Sequence, residues 1–73
     1  MNSRITAAPL TDEAHDINFD GSATLCLGYS EITCQAKLQK FAKSWAIQGY
    51  EKVTLEECVA GKWVKRSSYT LSF

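Results

Sequence analysis

Seventy-three residues allow one small domain, which buries only ~60% of the surface its unfolded chain exposes, so a large active-site cleft is not expected. The composition is 45% hydrophobic and 22% charged, with two Trp, three Tyr and three Phe, which excludes a chain disordered throughout. Eight Lys plus Arg are matched by eight Asp plus Glu, and this balance excludes the simple inference of a strongly basic nucleic-acid binder.

Residues 1–14 hold the only proline, Pro9, and show no sustained period, so they read as a mobile N-terminal arm ahead of a single α+β domain over 15–73. Thr11, followed by Asp12 and Glu13, is placed to cap one turn of helix. From Ile17 to Tyr29 the run INFDGSATLCLGY alternates, with Ala23, Leu25, Leu27 and Tyr29 on one face and Thr24 and Cys26 on the other. A three-residue turn at Asp20-Gly21-Ser22 sets Phe19 opposite Ala23 and Ile17 opposite Leu25, which keeps one face wholly apolar. A two-residue turn would set Ile17 against Thr24.

The segment SEITCQAKLQKFAKSWAIQG has a helical period, with Ser30 as its N-cap and Gly49 as the left-handed residue after its last turn. At 100° per residue Cys34, Leu38, Phe41, Ala42 and Trp45 form one stripe, expected to face the core. Lys37, Lys40 and Lys43 lie on the opposite, solvated side.

After Gly49 the run EKVTLEECVAGKWVKRSSYTLSF predicts a second hairpin around Ala60-Gly61. A three-residue loop that includes Lys62 sets Val59 opposite Trp63, Glu57 opposite Lys65, Leu55 opposite Ser67 and Val53 opposite Tyr69. One face then carries Val53, Leu55, Val59, Trp63, Tyr69 and Leu71. The other carries Thr54, Glu56, Cys58, Val64, Arg66, Ser68 and Thr70. A two-residue turn would mix the two sets, placing Leu55 against Arg66.

These elements predict an α+β, two-layer domain of order ββαββ, in which one amphipathic helix packs on a small, mainly antiparallel sheet. A βαββ arrangement follows if Asp20-Gly21 is a bulge rather than a turn. A single helix covers a single side, so the second sheet face is left to water or to a partner.

No constellation for catalysis is legible. His15 is the only histidine and lies in the arm; Glu56 and Glu57 are strand neighbours that point to opposite faces; the four glycines mark turns and element ends. Cys26, Cys34 and Cys58 match no redox or zinc spacing, so neither a cofactor nor a metal is expected. Cys34 reads as a small core residue, and Cys26 and Cys58 as thiols of the uncovered face, able to cross-link chains on oxidation. Three thiols, no bilayer-length apolar stretch and no signal-peptide core give the expectation of a cytoplasmic protein.

Charge is unevenly placed. Residues 1–31 hold Arg4 against Asp12, Glu13, Asp16, Asp20 and Glu31, whereas residues 32–73 hold seven basic and three acidic residues. Such a dipolar chain can steer partners at zero net charge. The segment GKWVKRSSYT interleaves Lys62, Lys65 and Arg66 with Trp63 and Tyr69, as single-strand binders do, but the register above turns both aromatic rings into the core.

The order of elements, the helix ending at Gly49-Tyr50 and the hairpin return Gly61-Lys62-Trp63 resemble small accessory proteins of bacteriophages and prophages. Among these are anti-CRISPR proteins that pack one or two helices on a small antiparallel sheet. The resemblance spans roughly residues 17–73, is architectural, and carries no functional residue across. It implies a non-enzymatic protein that binds a host defence or nucleic-acid-processing complex and blocks it. Two surfaces are candidates for that binding: an acidic one of Asp12, Glu13, Asp16 and Asp20, able to mimic phosphate, and a basic and sheet one of Lys37, Lys40, Lys43, Thr54, Glu56, Lys65, Arg66 and Thr70. The alternative expectation is a small nucleic-acid-binding protein that uses Lys37, Lys40, Lys43, Lys65 and Arg66. A third is a homodimer formed through the uncovered sheet face or a strand edge.

Overall fold

Ser30 and Gly49 delimit the one helix among the described residues, α1 (Glu31–Gln48); the computed structural model describes residues 2–9, 17–18 and 21–71. Ser30 is extended (φ −150°, ψ 171°), and its hydroxyl accepts the Thr33 N–H at 3.4 Å, satisfying one of the first-turn amides that have no partner inside a helix. At the other end Gly49 turns to φ +119°. Its N–H reaches the Ala46 carbonyl at 3.1 Å, while the Tyr50 N–H reaches that of Trp45 at 3.1 Å. This is a Schellman cap, and it places Tyr50 against the core.

The strands are β1 (Ser3–Ala7), β2 (Ala23–Gly28), β3 (Lys52–Val59) and β4 (Lys62–Thr70), in the spatial order β2-β1-β3-β4 with every neighbouring pair antiparallel. The predicted two-layer α+β architecture and its ββαββ order are therefore present, but the first strand is a different piece of chain. Residues 3–7 are not part of a mobile arm: they form a central strand, hydrogen-bonded on both sides and buried along its whole length. The alternation Arg4, Ile5, Thr6, Ala7 ahead of Pro9 is the strand signal at this position, short enough to be mistaken for a terminus without period. Ile17 contributes only an isolated bridge to Ala23, so the expected pairing of Ile17 with Leu25 is shifted by two residues, which preserves the face.

The core lies between α1 and one sheet face. Ile5 and Ala7 of β1 and Val53 and Leu55 of β3 meet Cys34, Leu38 and Trp45, with Leu25, Cys26, Ala42, Tyr50, Tyr69 and Leu71 packed around them. Each fully buried aliphatic side chain contributes roughly 1.5–3 kcal/mol. The helix is rotated slightly from the expected stripe: Ala46 is buried, and Phe41 is 38% exposed, its ring 5.9 Å from that of Trp45. Lys37 is not simply solvated, because its ammonium donates to the Leu27 carbonyl at 2.6 Å. Gly28 allows the close approach of β2 and α1, since a Cβ there would stand 2.8 Å from the Cys34 Sγ.

Two bulges correct the expected faces. In β2, Ile5 faces Cys26 but Thr6 faces Thr24, which leaves Leu25 as an extra residue. Beyond it Cys26 turns to the helix side, beside Cys34, and Leu27 turns away from the core. Tyr29 lies past the strand, 74% exposed. In β4, Glu56 faces Lys65 but Leu55 faces Ser67, so Arg66 is the extra residue. The tip of that hairpin is a two-residue turn with positive φ at Ala60 (52°) and Gly61 (79°), the type I′ signature. The bulge combines both registers: Leu55–Ser67 and Val53–Tyr69 pair as expected at the base, whereas Cys58–Trp63 and Glu57–Val64 pair at the tip.

Candidate interaction surface

Opposite residues on neighbouring strands share a face, so the register builds directly the side that no helix covers among the described residues. One row runs Leu27, Arg4, Glu56, Lys65; the next runs Thr24, Thr6, Thr54, Ser68; Lys52 faces Thr70 at one end and Cys58 faces Trp63 at the other. Trp63 is therefore not a core residue, and Val64 and Arg66 stand on the opposite side from the one expected. The one-residue slip at Arg66 reverses every side chain between it and the turn.

At the centre of the face Arg4 is only 7% exposed. Its Nε donates to Glu56 Oε1 at 2.6 Å, and its guanidinium carbon lies 4.2 Å from the centroid of the Trp63 ring. The Thr6 hydroxyl lies at 3.5 Å from the same carboxylate oxygen. Burial of an arginine is tolerable here because its charge meets a carboxylate and an aromatic face together. Trp63 remains 37% exposed.

Beside this cluster lies a shallow cleft of about 340 Å³, lined by Thr6, Ala7, Ala8, Ser22, Lys52, Thr54, Glu56 and Lys65. Of the sequence-predicted sheet residues, Thr54, Glu56 and Lys65 meet at this cleft, and Thr70 lies on the same face across from Lys52. Arg66 does not join them. It pairs with Glu57 at 2.7 Å on the other side of the sheet, replacing the expected Glu57–Lys65 pair. Lys37, Lys40 and Lys43 sit on α1, away from this face. Asp12, Glu13, Asp16 and Asp20 lie outside the described residues, as does His15. Arg4, Thr6, Lys52 and Trp63 also belong to this surface and are not legible as such in the sequence, the first two because a five-residue strand shows too little period by itself.

Among the described residues no cluster of three or more His, Cys, Asp or Glu is placed to hold a metal ion, and no helix is long and apolar enough to cross a membrane. The three cysteines are free. Burial, and next the Cys34 thiol, push the Cys26 thiol above its ordinary pKa, with Lys37 pulling the other way; burial likewise raises Cys34 against the pull of Lys37. Compared with protein-family models, with curated proteins and with solved structures, the chain matches none.

Proposed function

We propose that this chain is a non-enzymatic interaction module that binds another protein stoichiometrically through the uncovered face of its sheet. In its narrower form, the proposal makes it a phage-type inhibitor of a host protein complex, acting in the bacterial cytoplasm. The observation that carries the reading is Trp63: a large aromatic side chain left exposed on a sheet face, lying on a buried arginine. Aromatic anchors of this kind dominate the binding energy of protein interfaces.

The test is nuclease-treated capture from a bacterial lysate with the wild-type chain and with Trp63→Ala, followed by mass spectrometry. One stoichiometric protein held by the wild type and lost from a cooperatively folding Trp63→Ala chain is expected. Equal retention by both would move the surface elsewhere. Reversal of Asp12, Glu13, Asp16 and Asp20 to Lys tests the acidic set in the same assay, and undiminished capture would remove it from the account.

The same residue favours a second reading, nucleic-acid binding, because Trp63 and Lys65 share the uncovered face and the ring, though held by Arg4, is 37% exposed. Affinity for an oligonucleotide that falls steeply with salt is the expected mark, and a flat salt response would remove this reading.

A further inference from the structure

On the reading that the uncovered face is the binding surface, we infer that its occupant is an extended acidic segment of a partner protein. The carboxylates of that segment meet Lys52 and Lys65, and an apolar side chain rests on Trp63. Charge complementarity carries this. Both carboxylates of β3 are already held by arginine, Glu56 by Arg4 at 2.6 Å and Glu57 by Arg66 at 2.7 Å. Lys52, Lys62 and Lys65 have no carboxylate partner among the described residues. The β3–β4 hairpin thus keeps a surplus of positive charge in a chain whose net charge is zero.

The spacing selects an extended peptide. Lys65 stands across from Glu56, four residues along β3 from Lys52, so the two lysine backbones are roughly 14 Å apart on standard strand dimensions. An extended chain places side chains i and i+4 on one side at about the same separation. Between the lysines the cleft is floored by Thr6, which is buried, and by its register partner Thr54, whose half-buried hydroxyl can meet a peptide backbone. The Glu56 carboxylate also lines the cleft, which disfavours a continuous polyanion: single-strand grooves track the phosphate chain with positive charge throughout.

The probe is a fluorescein-labelled ten-residue peptide of alternating Glu and Ser with Leu in place of the last Glu, followed by anisotropy against the full chain, with the matching Lys and Ser peptide and a ten-nucleotide oligothymidylate in parallel. The acidic peptide should bind, with affinity falling about tenfold or more in Lys52→Glu/Lys65→Glu and falling also in Trp63→Ala. It should be unchanged in Lys40→Glu/Lys43→Glu, which alters net charge equally but on the helix. Thermal melts of each variant confirm that it is folded. Absence of binding, or equal loss from the helix variant, would overturn the inference. So would tighter binding of oligothymidylate with the same dependence on Lys52 and Lys65, which would make the surface one for nucleic acid. If the peptide fails while lysate capture still depends on Trp63, the inference falls and the sheet-face reading stands; if neither depends on the face, both fall.

Discussion

Arg4 and Trp63, 59 positions apart in sequence, are stacked on the uncovered sheet face with the guanidinium 4.2 Å from the ring centroid, although they stand on strands separated by β3. Glu56 of that intervening strand completes the group. The contact ties β1 to β4 and leaves the indole 37% exposed.

Removing one member of the ion pair should be costly. In Arg4→Met the Glu56 side chain, only 13% exposed, loses its bonded counter-charge, and a loss of about 3 kcal/mol is expected in urea unfolding. The double variant Arg4→Met/Glu56→Met should recover most of it. A double variant no more stable than Arg4→Met would mean that the cation–π contact, rather than the stranded carboxylate, dominates.

Gly28 is demanded by packing. The Cβ of Gly28→Ala would sit 2.8 Å from the Cys34 Sγ and 3.3 Å from the Cys34 backbone nitrogen, and a cost of about 1–3 kcal/mol is expected. The cost should shrink, without vanishing, in the Cys34→Ala background, because the sulfur is relieved and the backbone contact is not. Equal costs in the two backgrounds would deny the sulfur clash.

Ala60 occupies a left-handed conformation (φ 52°) that strains a residue with a Cβ. Ala60→Asn should raise stability by about 0.5–1 kcal/mol, since Asn-Gly is the preferred pair for this turn. Thermal unfolding reads the change directly, and a lower midpoint would argue against the two-residue turn.

The thiols should differ in reactivity. Cys34 is buried and Cys26 and Cys58 are half-buried, so iodoacetamide followed by mass spectrometry should find Cys34 modified last in the native protein, and all three alike in denaturant. The raised Cys26 and Cys34 pKa values also predict a pH effect. Thiols of the unfolded chain ionise first, so stability is full below about pH 8.5 and falls as pH rises from there through the folded values. Cys34→Ala should flatten that fall, and an unchanged slope would show that the Cys34 thiol does not set it.

Local chemistry was enough to define some features. Ser30 and Gly49 cap a helix by side-chain and backbone geometry that acts within a few residues, and Ala60-Gly61 sets a turn in the same way. Alternation then gave the residues of the β3–β4 base their faces, so Leu55 and Val53 met Ser67 and Tyr69 as expected. Strands β2, β3 and β4 and the helix followed from that pattern, whereas β1 did not.

Tertiary structure decided the rest. Alternation specifies which residues share a side of one strand, but an extra residue at Leu25 or Arg66 is defined only against the partner strand. Each such slip reversed the residues beyond it, moving Cys26 toward the helix and Trp63 into solvent. The place of β1 was likewise a matter of long-range pairing, because five residues gain a central position only when β2 and β3 arrive on either side. That pairing brought Arg4 to Glu56 and Trp63 and so assembled the surface.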